Sequence, residues 1–223
     1  MLLLAVDTSG KQGSIALAQC GPNDGCEIIE VAALSGGTFS AELVPQIAAL
    51  LEKHHFNKAD IGGFAVVCGP GSFTGLRIGL AVVKALADVL AKPIAAVSML
   101  EAVASAADWH GRVIAALDGG RNEVFLSEYE VSSSGVRFIR ERMLTRGEWL
   151  GSDGETIILT PDLALAEAAQ AKGLPVRKVD RPRSDMVARL GWRKIAAGEI
   201  VSAEALEVNY VGRSEAELFV KSG

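Results

Sequence analysis

The residues best suited to chemistry in this 223-residue chain lie in a glycine-rich segment that starts at Gly69. Gly69 and Gly71 give the backbone freedom for a sharp turn, and Pro70 fixes one backbone angle within it. Ser72 or Thr74 can cap the helix that is predicted to follow. Unpaired N–H groups and the positive dipole end at such a helix start attract anions. The segment therefore predicts a turn that is able to receive a phosphate or a carboxylate.

The same segment does not match the known nucleotide-binding loops. A P-loop requires Gly-Lys-Ser/Thr, and a dinucleotide loop requires glycine where Thr74 stands. Ser72 and Thr74 are also candidate nucleophiles, which leaves a peptidase as one alternative function. Neither lies in a Gly-x-Ser-x-Gly turn, and neither has a histidine or lysine base near it in the sequence. We therefore interpret both hydroxyls as candidate helix caps.

Two aspartates form a second candidate site. Asp7 ends an apolar run and is followed by Thr8 and Ser9, and Asp118 ends a similar run and is followed by Gly119. An aspartate before small residues is common turn chemistry, because its carboxylate accepts nearby backbone N–H groups. The pattern also resembles the actin-like ATPase and sugar-kinase superfamily, in which an aspartate at such a strand-to-strand turn faces phosphate and metal. We favour turn formation, and a small ATP-dependent kinase or transferase remains the alternative.

The elements that must position these residues alternate in two related halves. Strands are predicted at residues 2–7, 13–18, 26–32, 64–68 and 94–97, and helices at about 40–54 and 74–90. The apolar run that ends at Asp118 repeats the run that ends at Asp7 half a chain earlier, and each is followed by another strand. A repeat of that size predicts a duplicated α/β fold, with domains at residues 1–105 and 106–223.

The second predicted helix has two apolar faces and a narrow charged stripe. One face, which includes Leu76 and Leu80, can cover a sheet. The other face carries Ile78, Val82 and Leu86 and requires a further partner. That partner is either the first helix of the same chain or a helix of another protein.

Composition fits a compact protein without a membrane segment. Hydrophobic residues make up 49% of the chain, but no apolar run is long enough to span a bilayer. The apolar start lacks the basic region and the cleavage site of a signal peptide, so we expect a cytoplasmic protein. Cys20, Cys26 and Cys68 lack metal-ligand spacing and are expected to be reduced and mostly buried. We expect the chain to bind no metal.

Charge argues against direct binding of nucleic acid by the chain alone. The net charge is −5 and the pI is about 5.3, which is the wrong sign for a protein that binds a phosphate backbone unaided. Residues 177–194 are an exception, because seven lysines and arginines are opposed there by two aspartates. Such a cluster is usually a solvated face, and contact with a nucleic acid is the alternative.

Five segments together resemble the TsaB (YeaZ) family. They are AVDTS at residues 5–9, GPGSFTGLRIG at 69–79, VSMLEA at 97–102, DGGRNEVF at 118–125 and NYVGR at 209–213. Proteins of this bacterial family help to make threonylcarbamoyladenosine beside the anticodon of tRNAs. The resemblance implies a duplicated actin-like or sugar-kinase-like fold of the ribonuclease H-like kind. It also implies a non-catalytic scaffold that pairs with and activates the catalytic protein TsaD.

Partners and cofactors are expected from the resemblance alone. The ATPase TsaE is a second expected partner, and tRNA is expected to be reached only through the complex. The resemblance implies a homodimer when the partner is missing, and a chain that is not an enzyme by itself. The resemblance also implies that the chain has no cofactor of its own and that ATP or ADP and metal are bound by the partner proteins.

The family pairs through its first two helices, which assigns a candidate interface to this chain. The interface residues are Val44, Ile47, Leu51, Gly75, Ile78, Gly79, Val82 and Leu86. Gly75 and Gly79 belong to a four-residue glycine repeat, which permits close approach of another backbone. In one departure, Phe39 stands where many family members have a histidine, so any hydrogen bond of that imidazole is lost.

Overall fold

The computed structural model of this protein describes residues 1–21, 25–133, 135–151 and 154–209. Its strands are β1 (Leu2–Asp7), β2 (Gly13–Gly21), β3 (Gly25–Leu34), β4 (Ile61–Gly69), β5 (Ile94–Ser98), β6 (Gly111–Gly120), β7 (Glu123–Ser132), β8 (Gly135–Thr145), β9 (Ile157–Thr160) and β10 (Val176–Lys178). Its helices are α1 (Phe39–Lys53), α2 (Phe73–Leu90), α3 (Met99–Ala106), α4 (Arg146–Leu150), α5 (Leu163–Ala171) and α6 (Ser184–Ala196). Apart from Asn209, the predicted motif at residues 209–213 lies outside the described residues.

The first five strands form one mixed sheet in the order β3-β2-β1-β4-β5. β1, β2 and β3 form the predicted antiparallel meander, and β4 and β5 run parallel to β1. α2 forms the crossover from β4 to β5, because parallel neighbours cannot be joined by a tight hairpin. Every element predicted for this half is present, and its ends agree to within three residues.

The last five strands form a second mixed sheet that repeats the first. Its order is β8-β7-β6-β9-β10, so β6 takes the central position that β1 has in the first sheet. β6 to β8 form an antiparallel meander, and β9 and β10 run parallel to β6. The helices also correspond, since one helix precedes and one follows the fourth strand of each sheet. The predicted duplication of an α/β unit is confirmed by these two matching sheets.

The chain divides into two compact units. The first contains Met1–Met99 together with Pro182–Asn209, and the second contains Leu100–Arg181. This division differs from the predicted boundary after residue 105, because α6 packs on the strands of the first sheet. A helix that follows the second sheet in the chain therefore completes the first unit.

Helices cover both faces of the first sheet. On one face Leu4 and Val6 of β1 pack in a core cluster with Leu43 of α1 and Leu80 of α2. On the other face α6 lies so close to the sheet that a side chain on Gly191 would collide with Ala65 of β4. Burial on both faces explains why all six residues of β1 are buried.

The second unit has a smaller core on one side of its sheet. Trp149 of α4 packs there with strand residues, among them Val124 and Ile158, and with Leu165 of α5. Within the part of the chain that the structure describes, no helix is long and apolar enough to cross a membrane.

Candidate functional site

Two of the predicted motifs meet at one end of the first sheet. β1 and β4 are parallel neighbours, with Val6 opposite Val66, so their carboxyl ends lie side by side. β1 ends at Asp7 and β4 ends at Gly69. The turn after β1 and the glycine-rich turn after β4, which are far apart in the sequence, therefore form one structural site.

The turn after β1 packs against the glycine repeat of α2. The Thr8 hydroxyl donates a hydrogen bond to the carbonyl oxygen of Gly75, with 2.7 Å between the two oxygens. A side chain at Gly75 would collide with the carbonyl oxygen of Thr8, and one at Gly79 would collide with the Thr8 hydroxyl. The close approach that glycine permits here is thus made by the chain's own Thr8. A partner helix at Gly75 or Gly79, as the sequence predicted, is not compatible with this packing.

Ser9 ties the two turns together. Its carbonyl oxygen accepts the backbone N–H of Ser72 at 2.7 Å, and a side chain at Gly71 would come within 2.5 Å of the same oxygen. The buried carboxylate of Asp7 accepts hydrogen bonds through Oδ1 from the backbone N–H of Ser9 at 2.8 Å and from its hydroxyl at 2.6 Å. Asp7 thus has the hydrogen bonds of a turn-forming aspartate. A phosphate-binding role for it stays a prediction.

Gly69 is the position in the motif that requires glycine for its backbone angle. Its φ is 138°, a region that side chains rarely adopt, and the peptide that joins it to Pro70 is cis. A side chain there would also come within 2.6 Å of the carbonyl oxygen of Asn209. The N–H of Asn209 donates to the carbonyl oxygen of Cys68 at 2.8 Å, so a distant part of the chain lies against the motif. Sequence reasoning missed this contact, because nothing local links Asn209 to β4.

Of the two hydroxyls that the sequence offered as helix caps, Ser72 takes this role. Its hydroxyl accepts the backbone N–H of Gly75 at 3.3 Å at the start of α2. Thr74 is exposed and lies inside the first turn of the helix. Phe73 is 51% exposed, and the guanidinium carbon of Arg77 lies 3.7 Å from its ring centre. The start of α2 therefore presents an aromatic ring and a cation beside the capped turn.

Asp118 forms a turn of a different kind in the second unit. Its Oδ1 accepts the N–H of Gly120 at 3.1 Å, and its Oδ2 accepts a hydrogen bond from Arg146 at 2.9 Å. Arg121 and Asn122 follow with positive φ, which is the geometry of a tight hairpin between β6 and β7. Gly119 is partly buried. The carboxylate therefore has both a turn contact and an ion pair, and a phosphate role for it stays a prediction.

The candidate interface residues on α1 and α2 divide by exposure. Ile47, Leu51, Gly75 and Gly79 are buried inside the first unit and cannot lie on a surface. The other four side chains are accessible to solvent. Val44 is 54% exposed, and Ile78, Val82 and Leu86 are partly covered by the core. The second apolar face of α2 thus packs in part against the core cluster that includes residues of α1. The sequence had offered α1 or a helix of another protein as the partner of this face, and α1 covers part of it.

The candidate metal ligands and the cations of residues 177–194 do not form a second site within the described residues. Over the described residues, no three histidine, cysteine, aspartate or glutamate side chains are placed to hold a metal ion. Cations of the 177–194 segment lie on separate elements, with Arg177 on β10 and Arg189 on α6. Arg189 donates to the carbonyl oxygen of Cys26 at 3.0 Å.

Comparison with known proteins identifies the family. The family model described as TsaD, tRNA N6-adenosine threonylcarbamoyltransferase, matches residues 34–191. The tRNA threonylcarbamoyladenosine biosynthesis protein TsaB of Escherichia coli K12 is 29% identical, over 95% of this chain and 94% of its own length. The chain belongs to the TsaB (YeaZ) branch of this family. The resemblance noted in the sequence is confirmed.

Other TsaB relatives agree with this assignment. TsaB of Bacillus subtilis 168 is 28% identical, over 97% of this chain and 96% of its own length. The solved structure of YeaZ from Pseudomonas aeruginosa superposes with a TM-score of 0.74 at 26% identity, covering 93% of this chain and 99% of that one. A second Pseudomonas aeruginosa structure, of an uncharacterized protein with similarity to peptidase YeaZ, gives a TM-score of 0.77 at 26% identity, over 95% of this chain and 99% of that one.

One departure from the TsaB pattern has a structural role in this chain. Phe39, which stands where the resemblance expects a histidine in many members, starts α1 and is 5% exposed. Its ring packs at the start of β2, where a side chain on Gly13 would come within 2.9 Å of it. The ring therefore contributes to the first core rather than to a polar site.

Proposed function

We propose that this chain acts in threonylcarbamoyladenosine formation on tRNA as a non-catalytic scaffold that pairs with and activates TsaD. Membership of the TsaB branch supports the pathway, because the E. coli and B. subtilis relatives are named for tRNA threonylcarbamoyladenosine biosynthesis. The proposed location is the cytoplasm, where these tRNAs are.

The observation that carries the pairing is the apolar surface left on α1 and α2. Val44 of α1 is 54% exposed and Val89 of α2 is 77% exposed. Ile78, Val82 and Leu86 are only partly covered. Together with Val89 they recur at intervals of three or four residues, so they form one stripe along α2. Covering such a stripe by a partner removes apolar surface from water, which favours association.

The glycine-rich turn supports this role by holding α2 in place. Thr8 and Ser9 bind the start of the helix through the backbone carbonyl of Gly75 and the backbone N–H of Ser72. A helix fixed in this way loses little conformational freedom when a partner binds it. The motif thus acts through its backbone contacts, the Ser72 hydroxyl caps the helix, and the Thr8 hydroxyl binds it to the turn after β1.

The rest of the assembly follows from the same proposal. TsaE joins the chain and TsaD, and ATP or ADP and metal are bound by these partners. tRNA is reached through the complex, which agrees with the net charge of −5 on this chain. When TsaD is missing, the apolar stripe is covered by a second copy of the chain in a homodimer.

The test is to place a charge on the stripe. We expect Val82→Glu to weaken association with TsaD by about 3 kcal/mol, roughly a hundredfold in Kd, because the carboxylate would be buried unpaired. Val44→Glu should act in the same direction, and its exposed position should leave the fold intact. Calorimetric titration with TsaD of the same organism measures the Kd, and sedimentation velocity measures the homodimer.

Leu163→Glu is the matched control, because Leu163 is 57% exposed and begins a different helix, α5. This variant should bind TsaD with the affinity of the unaltered chain. If Val82→Glu and Val44→Glu both bind TsaD normally while thermal stability is unchanged, the apolar surface of α1 and α2 is not the pairing surface.

A further inference from the structure

Two of the three cysteines face each other across a hairpin. Cys20 on β2 is the direct cross-strand neighbour of Cys26 on β3. Both are thiols and both are buried, with 2% and 7% of their surface exposed. Directly opposed residues in an antiparallel pair point to the same face of the sheet, so the two sulfurs lie on one side.

The backbone hydrogen bonds show which kind of cross-strand pair this is. The N–H of Cys20 donates to the carbonyl oxygen of Met1 at 2.9 Å, and the Cys20 carbonyl accepts the amino terminus of Met1 at 2.7 Å. Both backbone groups of Cys20 therefore point away from β3. The carbonyl of Cys26 in turn accepts a hydrogen bond from Arg189 of α6. Cys20 and Cys26 thus form a non-hydrogen-bonded pair.

Such a pair has the spacing that a disulfide needs. In non-hydrogen-bonded pairs the Cα atoms are about 4.5 Å apart and the side chains approach closely. A disulfide accommodates Cα separations of about 4.4–6.8 Å. Oxidation of this pair therefore requires only side-chain rotation, with the strands in their present register.

The surroundings favour one of the two thiols as the nucleophile. A hydrogen bond from the Cys20 side chain lowers the pKa of Cys26, and the charge of Arg189 adds to this effect against the opposing effect of burial. The same hydrogen bond and burial raise the pKa of Cys20. Cys26 therefore ionises first and attacks an oxidant first.

We propose that Cys20 and Cys26 are a site of reversible oxidation, at which hydrogen peroxide converts the two thiols into a cross-strand disulfide. The Cys26 thiolate attacks one peroxide oxygen, the O–O bond breaks, and a sulfenic acid forms as hydroxide takes up a proton and leaves as water. Cys20 then attacks the Cys26 sulfur, and the sulfenic oxygen leaves with the thiol proton as a second water. The protein loses two electrons and two protons, and a thiol reductant reverses the step.

Cys68 provides an internal comparison. It is buried on β4, and its thiol donates to the carbonyl oxygen of Val97 at 3.4 Å. Neither neighbouring strand, β1 or β5, contains a cysteine. Cys68 therefore has burial similar to that of the pair but no thiol opposite it.

The test uses the full chain and hydrogen peroxide. After brief exposure, remaining thiols are alkylated in denaturant, and the chain is cleaved before aspartates. This cleavage separates the cysteines, because Cys20 falls in residues 7–23, Cys26 in 24–59 and Cys68 in 60–87. We expect fragments 7–23 and 24–59 to be joined by a disulfide that a thiol reductant breaks. The linked pair should form about tenfold faster than Cys68 is oxidised.

Three variants complete the design. Cys68→Ser should still give the linked fragments, whereas Cys20→Ser and Cys26→Ser should give none. Persistence of both thiols in the unaltered chain after Cys68 has been oxidised would overturn the proposal. A link that joins two copies of the chain, or that involves Cys68, would overturn it as well. Because the unaltered chain alone decides these outcomes, the result does not depend on whether every variant folds.

Discussion

Gly75 lies against the carbonyl oxygen of Thr8 with no room for a side chain between them. The neighbouring atom belongs to the backbone, which cannot rotate away as a flexible side chain can. The Thr8 hydroxyl also donates a hydrogen bond to the carbonyl oxygen of Gly75, which holds the turn after β1 against α2. At the scale of single residues, the glycine-rich motif is thus a packing and hydrogen-bonding device that fixes the start of α2.

We expect Gly75→Ala to destabilise the protein by about 2–3 kcal/mol, because the new methyl group must displace backbone. Gly147→Ala is the matched control in α4, since a Cβ there meets no atom within 4 Å. That change should be neutral or should stabilise by up to about 1 kcal/mol, as alanine favours helix over glycine. Urea unfolding measures both values, and equal effects of the two changes would contradict the packing argument.

Ser72→Ala tests whether the Ser72 hydroxyl is a helix cap or a nucleophile. Loss of the hydroxyl removes one hydrogen bond at the start of α2, at a cost of about 1 kcal/mol. tRNA modification in a reconstituted system should continue. Abolished modification with normal stability and normal TsaD association would assign this hydroxyl to an active site.

Asp118→Asn should leave tRNA modification intact in the same system. Asparagine keeps the oxygen that accepts the Gly120 N–H, but it loses the charge that pairs with Arg146. The ion pair is partly exposed, so its loss should cost no more than about 1 kcal/mol of stability. Complete loss of modification with unchanged stability and partner binding would favour a nucleotide site at Asp118.

At the scale of elements, the carboxyl end of α1 is bound to strand β3 of the first sheet. Glu30 of β3 accepts hydrogen bonds from Lys53 at 2.8 Å and from His54 at 2.7 Å. Both hydrogen bonds lower the pKa of the Glu30 carboxyl below its ordinary value, and the one from Lys53 has the larger effect. The contact therefore helps to place the helix that carries Val44, part of the proposed pairing surface.

The lowered pKa of Glu30 sets the direction of a pH effect. Its stabilising contribution is present above the unfolded pKa of about 4.3 and is lost as pH falls through the lower folded pKa. We expect Glu30→Gln to lower Tm at pH 7, and the difference from the unaltered chain to disappear below about pH 3. Glu52→Gln, at an exposed carboxyl beside Lys53, is the control. A difference between Glu30→Gln and the unaltered chain that persists at low pH would exclude this ion pair as its cause.

At the scale of the whole molecule, the first unit is assembled from two separate stretches of chain. α6 packs across β1 to β5, and its first residue is held by Ser14 of β2, whose hydroxyl lies 2.8 Å from that of Ser184. Without α6, one apolar face of the first sheet has no cover within this unit.

A fragment that ends at residue 105 should therefore not fold by itself. A fragment that joins residue 99 to residue 182 through a flexible linker and ends at residue 209 should fold, because it contains the complete first unit. Circular dichroism during heating distinguishes the two, since only the second should show a cooperative transition. Cooperative unfolding of the 1–105 fragment would show that α6 is dispensable.

Much of the architecture was determined by sequence alone, because its signals are local. The alternation and apolar runs at residues 2–7 and 113–118 identified matching strands, and the duplication followed from their repetition. The caps and turns at Ser72 and Asp7 were also predictable, since each depends on a side chain and the backbone a few residues away. The family motifs added the pathway but no contact geometry.

Only the tertiary structure decided what each surface touches. The glycine repeat of α2 was predicted to meet a partner helix, but parallel pairing of β1 with β4 brings Thr8 against it first. Strand register placed Cys20 opposite Cys26, and chain topology returned α6 to the first sheet. These contacts join residues far apart in the chain, and hydrophobic periodicity specifies which face of an element is buried without specifying which element buries it.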